Sequence, residues 1–426
     1  MNARTWKAWL IPGGLLLALA AALVSSPLFV QVAPSLAFYY GGVFTAGILL
    51  AWRFNSSRVL FALMVLLLAH RAVIFFAAGQ AHSGPGRMAV LLAGLLIPLN
   101  FILFATLRER GLIIAGVAPY FGLLFLESVV FAVLCRPENS PGVPRYSDAA
   151  LPLWILLAFA ASIGVFIRRF FQTRKPIEPG FVWSIAAVFL WLQFAPVGKM
   201  SDVYVATAAL ILGASLIETS YVLAYHDELT GIRGRRAFNE SLLSLDQQYA
   251  IAIVDIDHFK KFNDTYGHDV GDQVLCMVAA HLSDVSGDGQ AYRCGGEEFA
   301  IVFRNASAKD AFDHLESLRQ VVERSTFHLR GSERRSDPRP PGPDRRRRSK
   351  KKSGAVVPVP SSDRLSVTVS IGVAEPSTRY RQPEQVIQAA DQALYRAKQK
   401  GRNRVELAST EPLRLAATKR SKASRL

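Results

Sequence analysis

The chain has 426 residues, 51% of them hydrophobic and 19% charged, with a formal net charge of +16 and three cysteines. That length points to two or three domains, and Cys135, Cys276 and Cys294 lie too far apart for a disulfide framework or a cysteine-based metal centre. The charge does not argue for nucleic acid, because Arg330–Lys352 (eleven Lys/Arg, three Asp/Glu) and Thr410–Leu426 (five and one) hold twelve of the sixteen net charges in low-complexity sequence.

Apolar runs fill the first half, near 9–30, 36–52, 59–78, 88–107, 112–134, 149–168, 181–196 and 203–224. A soluble protein does not stack so many runs of about 20 residues, so residues 1–224 read as an all-α polytopic bundle of about eight transmembrane helices. Pro12-Gly13-Gly14 interrupts the first run and the seventh is short, so the number falls to seven if one of them does not cross. With eight spans and a cytoplasmic N-terminus, MNARTWK, RFNSSR, RERG and RRFFQTRKPIEPG all fall on the inner side, which also receives the C-terminal half. No cleavable signal peptide is expected.

Ionisable residues within spans are costly and therefore informative. His70 and Arg71 lie in the third run and Glu127 in the fifth. Arg71 and Glu127 sit roughly 18 and 22 Å from the cytoplasmic ends of their helices at about 1.5 Å per residue, which permits an ion pair. The three residues form a candidate membrane signal site, with a structural helix–helix pair as the plainer explanation. The last run leads into YVLAYHDELTG without a strong break, as a helix relaying motion to the next domain would.

From Asp227 onward strands and helices alternate. RRAFNESLLSLDQQ has helical spacing, YAIAIVDID is a short apolar strand, and NDTYGHDVGD is turn-like before the helix QVLCMVAAHLSDV. AYRCGGEEFAIVF is two short strands about Gly295-Gly296; AKDAFDHLESLRQVVERS is helical, RLSVTVSIGVAEP a strand, and PEQVIQAADQALYRAKQKGRN a helix ended by Gly401. This order predicts an α/β domain, an α+β sandwich, over 225–405. Residues 329–364, rich in Pro, Arg, Lys and Ser, read as a disordered basic insertion that cannot build a core, and 406–426 as a basic tail. Both suit an anionic inner leaflet.

Asp255 ends an apolar strand, and the glycine pair permits a tight hairpin that presents Glu297 and Glu298. If the strands are neighbours, the carboxylates converge and repel one another unless a cation sits among them. Hard oxygen donors suit Mg²⁺, which binds through one or two carboxylates and substrate phosphates. For EE alone, a solvated acidic hairpin would be the simpler explanation.

DELTGIRGRRAF, DIDHFKKFNDTYGHDVGDQVL, RCGGEEFAIV, VTVSIGVA and ADQALYRAKQKGRN together resemble the ordered motifs of the GGDEF-domain diguanylate cyclases, over about 226–405. The resemblance implies a nucleotidyl-cyclase or polymerase-palm-like fold, GTP as substrate, cyclic di-GMP and pyrophosphate as products, and a homodimer through the GGDEF domains. It further implies Mg²⁺ (or Mn²⁺) held by Asp255, Glu297 and the Ile256 carbonyl, with Glu297 as base and Glu298 as a further contact. Asn263, His268 and Asp272 match guanine-side positions, Lys260 matches a position stabilising charge on the reacting phosphate, and Lys398 and Arg402 match phosphate contacts. It places the chain in the bacterial cytoplasmic membrane, in contact with the lipid bilayer, with the domain in the cytoplasm and no nucleic acid partner. A non-catalytic receptor for GTP or cyclic di-GMP is the alternative, and a transporter with a regulatory tail a third. Two departures stand out. Gly234 replaces the usual Asn, which is expected to loosen the turn before the domain. Ser286–Gly289 reads SGDG where many relatives carry an inhibitory RxxD, so strong product feedback is not expected.

Overall fold

A computed structural model describes residues 9–77, 81, 83–107, 109, 111–112, 114–139, 150–328 and 364–408. The chain divides into two compact units, Met1–Val222 and Leu223–Leu426. The expected insertion and the tail lie almost wholly outside the described residues.

The first unit consists of α1 (Gly13–Ser25), α2 (Leu28–Val32), α3 (Leu36–Arg53), α4 (Ser57–Ala77), α5 (Gly84–Thr106), α6 (Ile114–Leu134), α7 (Leu153–Thr173), α8 (Ile177–Phe194) and α9 (Lys199–Tyr225). Seven helical stretches among the described residues are long and apolar enough to cross a membrane, the first running from Leu28 to Arg53. The run expected over 9–30 is divided instead: α1 has 13 residues, roughly 20 Å of helix, short of the roughly 30 Å hydrocarbon layer. The eighth span therefore turns on α1. Phe61, Phe101, Phe104, Phe166, Phe181 and Trp191 are fully buried and fill the bundle.

The polar residues of this unit are partnered differently from the expectation. Glu127 on α6 accepts a hydrogen bond from Asn100 Nδ2 on α5. Arg71 is exposed, its guanidinium 5.3 Å above the Tyr40 ring. The two do not form an ion pair among the described residues, because equal depth along two helices leaves their rotation about the axis undetermined. His70 is fully buried, its ring bonded to Tyr40 Oη at 2.9 Å and Ser201 Oγ at 2.7 Å, with Asp202 Oδ1 at 3.5 Å. Glu178, at the start of α8, is enclosed between Arg58 (3.4 Å) and Arg169 (3.2 Å).

In the second unit, β1 (Arg233–Gly234), α10 (Arg235–Leu243), β2 (Tyr249–Ile256), α11 (Phe259–Tyr266), α12 (His268–Ser283), β3 (Gln290–Gly295), β4 (Glu298–Arg304) and α13 (Ala308–Arg324) come first. After them come β5 (Phe327–His328), β6 (Arg364–Leu365), β7 (Val369–Ala374), α14 (Pro383–Gln399) and β8 (Val405–Leu407). Six strands form one mixed sheet in the order β1-β3-β4-β2-β7-β8. Each residue of β2 is buried, as a central strand covered on both faces requires. Ala250, Ala252, Val254 and Ile256 pack with α12 and α13; Tyr249, Ile251 and Ile253 pack with α10 and α14. The α+β sandwich follows from this alternation. β5 and β6 pair antiparallel, bringing together the two ends of the 329–363 stretch.

The turn-like NDTYGHDVGD is mostly helical. Gly267, at φ 86°, is the break between α11 and α12. Gly234 has an ordinary φ of −90°. The turn before it is closed by Gly231 N–H to Asp227 O and Asp227 N–H to Ile232 O, both 2.9 Å.

Candidate active site

The site begins where β2 ends. Asp255 is directly opposite Glu298 on β4 and Ser370 on β7. β3 and β4 are antiparallel neighbours, joined by a turn in which Gly296 takes φ 46°, a left-handed conformation that glycine adopts without a Cβ penalty. The hairpin therefore carries Glu297 and Glu298 to the edge where Asp255 lies, although Asp255 itself is only 6% exposed.

Three carboxylates and one cation meet there. Lys398 Nζ on α14 lies 2.8 Å from Asp255 Oδ1. Desolvation, then the charge of Asp255, raises the Glu297 pKa; Lys398 opposes the rise and Glu298 adds to it. Asp391, also on α14, is raised first by desolvation and then by Glu298; sequence reasoning missed this fourth carboxyl. Among the described residues no three His, Cys, Asp or Glu side chains gather closely enough to hold an ion alone. Two carboxylates with the Ile256 carbonyl are an oxygen donor set that fits a hard divalent ion shared with phosphate oxygens.

On the other side of the strand end stand α11 and α12. Asn263 on α11 has a buried Oδ1 without a hydrogen-bond partner, an arrangement that costs free energy unless a ligand donates to it. It fits because residue 271 is glycine: a Cβ there would overlap Asn263 Oδ1. Asp272 is exposed on α12, His268 is its exposed first residue, and Lys260 is exposed on α11. None of these three makes a hydrogen bond or ion pair with the hairpin carboxylates among the described residues. Arg402 is half-buried in the corner after α14. Cys294 packs in the strand, its thiol pushed up to about 12, mainly by burial.

Sequence reasoning also missed Arg293. Its Nη1 lies 2.7 Å from Asp227 Oδ1, while Nε and Nη2 donate to the Gly296 carbonyl at 3.2 and 2.8 Å. Asp227 also accepts from the Thr230 N–H and hydroxyl, at 2.9 and 2.7 Å. The turn after α9 is thus tied to the acidic hairpin by one guanidinium. The D-x-x-T spacing is the signal that could have marked Asp227 as a turn-former.

A central strand ending near an aspartate, an antiparallel Gly-Gly-acidic hairpin beside it, and a helix whose Lys398 reaches that aspartate define an α/β domain with an acidic site at one sheet end. Residues 224–338 and 348–404 match the family described as diguanylate cyclase, GGDEF domain, so the second unit carries a GGDEF domain. Protein YhcK of Bacillus subtilis is 36% identical over 191 residues, covering 43% of this chain and 45% of the relative. Diguanylate cyclase VdcA of Vibrio cholerae is 38% identical over 186 residues, covering 43% and 46%. The chain therefore spans under half the length of these curated relatives. The crystal structure of the coiled coil and GGDEF domain of DgcB from Caulobacter crescentus in complex with c-di-GMP is 30% identical, covering 45% of this chain and 90% of that one, with a TM-score of 0.36.

Proposed function

We propose that the chain is a membrane-bound diguanylate cyclase. It joins two GTP molecules into cyclic di-GMP with release of two pyrophosphates, under a signal received by the helical unit. The observation that carries this reading is the meeting of Asp255, Glu297, Glu298 and Lys398 at one sheet end. A relative named as a diguanylate cyclase supports it.

Asn263 and Asp272 accept from the guanine N1–H and N2–H₂ edge, a donor pair that adenine lacks, and His268 borders the base. Lys398 and Arg402 bind phosphates, and Lys260 offsets charge on the reacting phosphate. Glu297 takes the proton of the attacking 3′-hydroxyl. Asp255, Glu297 and the Ile256 carbonyl would hold a divalent ion, Mg²⁺ with Mn²⁺ as alternative, which when bound supplies charge neutralisation at the triphosphate. One chain offers one such site and the reaction joins two nucleotides, so a second copy faces the first. The domain lies on the cytoplasmic side of the inner membrane, where GTP is found. Ser286–Gly289 carries no arginine, so product feedback through that stretch is weak.

The test is the detergent-purified full chain incubated with GTP and Mg²⁺, with cyclic di-GMP and pyrophosphate measured together. Formation of both, and their loss in Asp255→Asn, supports the reading. Retained GTP binding without product under conditions that force dimerisation would favour a receptor.

A further inference from the structure

Asp255-Ile256-Asp257 looks like two equivalent carboxylates at one strand end, but the second is fully engaged elsewhere. Asp257 is 7% exposed. Its Oδ1 accepts from Ser370 Oγ at 2.7 Å. Its Oδ2 accepts from Thr368 Oγ1 at 2.7 Å and from the backbone N–H of Asn403 at 3.0 Å. Its own N–H donates to the Thr368 carbonyl at 2.9 Å. Three donors occupy the carboxylate, which makes it an anchor and not an ion ligand. Thr368 and Ser370 belong to β7 and its approach. Asn403 lies 146 residues away, in the corner between α14 and β8.

That corner is conformationally costly. Gly401, Arg402 and Asn403 have φ of 108°, 64° and 46° in succession. Left-handed backbone is unfavourable for non-glycine residues, and two together persist only where the surroundings hold them. The Arg402 N–H donates to the Ala397 carbonyl at 3.0 Å, and Arg404 Nε donates to the Arg402 carbonyl at 3.1 Å. Asn403 Oδ1 accepts from Arg319 Nη1 and its Nδ2 donates to Glu323 Oε1, both at 2.7 Å. Arg319 is in turn fixed by Glu316 at 2.6 Å and Glu323 at 2.8 Å. Asn403 is therefore gripped through both backbone and side chain. The guanidinium of Arg402 beside it makes no hydrogen bond or ion pair among the described residues, while Lys398, four residues earlier at the end of α14, reaches Asp255 at 2.8 Å.

We propose that Asp257 and Asn403 are positioning residues for Arg402. They hold the left-handed corner so that its guanidinium is already aimed when a triphosphate arrives, and no ordering cost falls on binding. This deepens the proposed function and rests on it. Arg402 touches phosphate, and the other two act only through it.

The experiment measures equilibrium binding to the purified full chain of two probes, the unreactive α,β-methylene analogue of GTP and guanosine. Asp257→Asn turns a donor toward the donors it should accept from. Asn403→Gly keeps the backbone N–H and tolerates positive φ, so it releases only the side-chain grip and leaves folding least disturbed. Each is expected to weaken the analogue about tenfold, the scale of one charge-assisted phosphate contact, and to leave guanosine unchanged. Arg402→Ala should do the same, and adding Asp257→Asn to it should cost no further affinity. Analogue binding unchanged in Asn403→Gly, guanosine weakened in parallel, no effect of Arg402→Ala, or multiplied losses in the double variant would each overturn the proposal. An unmodified chain that binds neither probe overturns the proposed function itself, and this inference with it.

Discussion

Replacing Arg293 with Leu tests how the hairpin is held, independently of any activity. The guanidinium is 11% exposed and its partner Asp227 26% exposed, at 2.7 Å. A charge-assisted bond in such a setting contributes about 1.5–3 kcal/mol. The two bonds to the Gly296 carbonyl add less, because water replaces them at an exposed turn. We take about 2 kcal/mol for the whole, which corresponds to a roughly 30-fold change in a local opening equilibrium. Amide hydrogen exchange of the full chain in detergent reads that opening directly. Protection of peptides covering 227–232 and 293–299 should fall about 30-fold, with α4 as an unaffected control. The acid dependence follows from Asp227. Burial raises its pKa, but the hydrogen bonds from Thr230 and Arg293 outweigh it, so the folded value is lowered. Its stabilisation is complete above the ordinary value of about 3.9 and is lost as pH falls through the lower folded value. The difference between Arg293→Leu and the unmodified chain should therefore persist at neutral pH and shrink only in strong acid. Protection unchanged in both peptides at neutral pH would refute the tether.

Glu297→Gln should lower product formation at least a hundredfold, the usual minimum for a lost general base. Because its carboxyl is raised in the folded chain, Glu297 favours the folded state below its ordinary value and opposes it as pH rises through the folded one. The same variant should thus be slightly more resistant to denaturant than the parent at pH 7, measured by urea titration. Gly271→Ala places a Cβ against Asn263 Oδ1, so GTP binding should weaken tenfold or more. Helicity should hold, since Ala favours a helix over Gly by about 1 kcal/mol; calorimetry and circular dichroism separate the two. Glu178→Gln leaves Arg58 and Arg169 facing each other without their shared anion. Breaking a buried pair costs about 3–5 kcal/mol, so the detergent-extracted protein should lose thermal stability sharply.

What could be seen in the residues alone depended on whether the signal was local. The acidic hairpin was legible because GGEEF carries its own turn chemistry, and the sheet because β2 and β4 are apolar runs of strand length. Lys398 was legible on the last helix, whereas Arg402 lies past that helix's end at Gln399, in the left-handed corner. Asp257 was hidden in the same DID triplet that revealed Asp255: strand polarity puts both at the sheet end, but only the partners at 368, 370 and 403 distinguish an anchor from a ligand. Those partners lie 111 or more residues away, beyond any periodicity. Arg293 was hidden for the same reason, 66 residues from Asp227. In the membrane unit, hydropathy and charge gave the helices and their depth, yet Arg71 and Glu127 found other partners. A helix's rotation is set by the packing of its neighbours, and Asn100 and Tyr40 decided it. α1 shows the converse limit. An apolar stretch long enough to cross was divided by Ser26-Pro27, because a proline there cannot supply the amide that a continuous helix needs. Where function depends on which distant group a buried carboxylate holds, the residue type narrows the chemistry and the tertiary contact assigns the role.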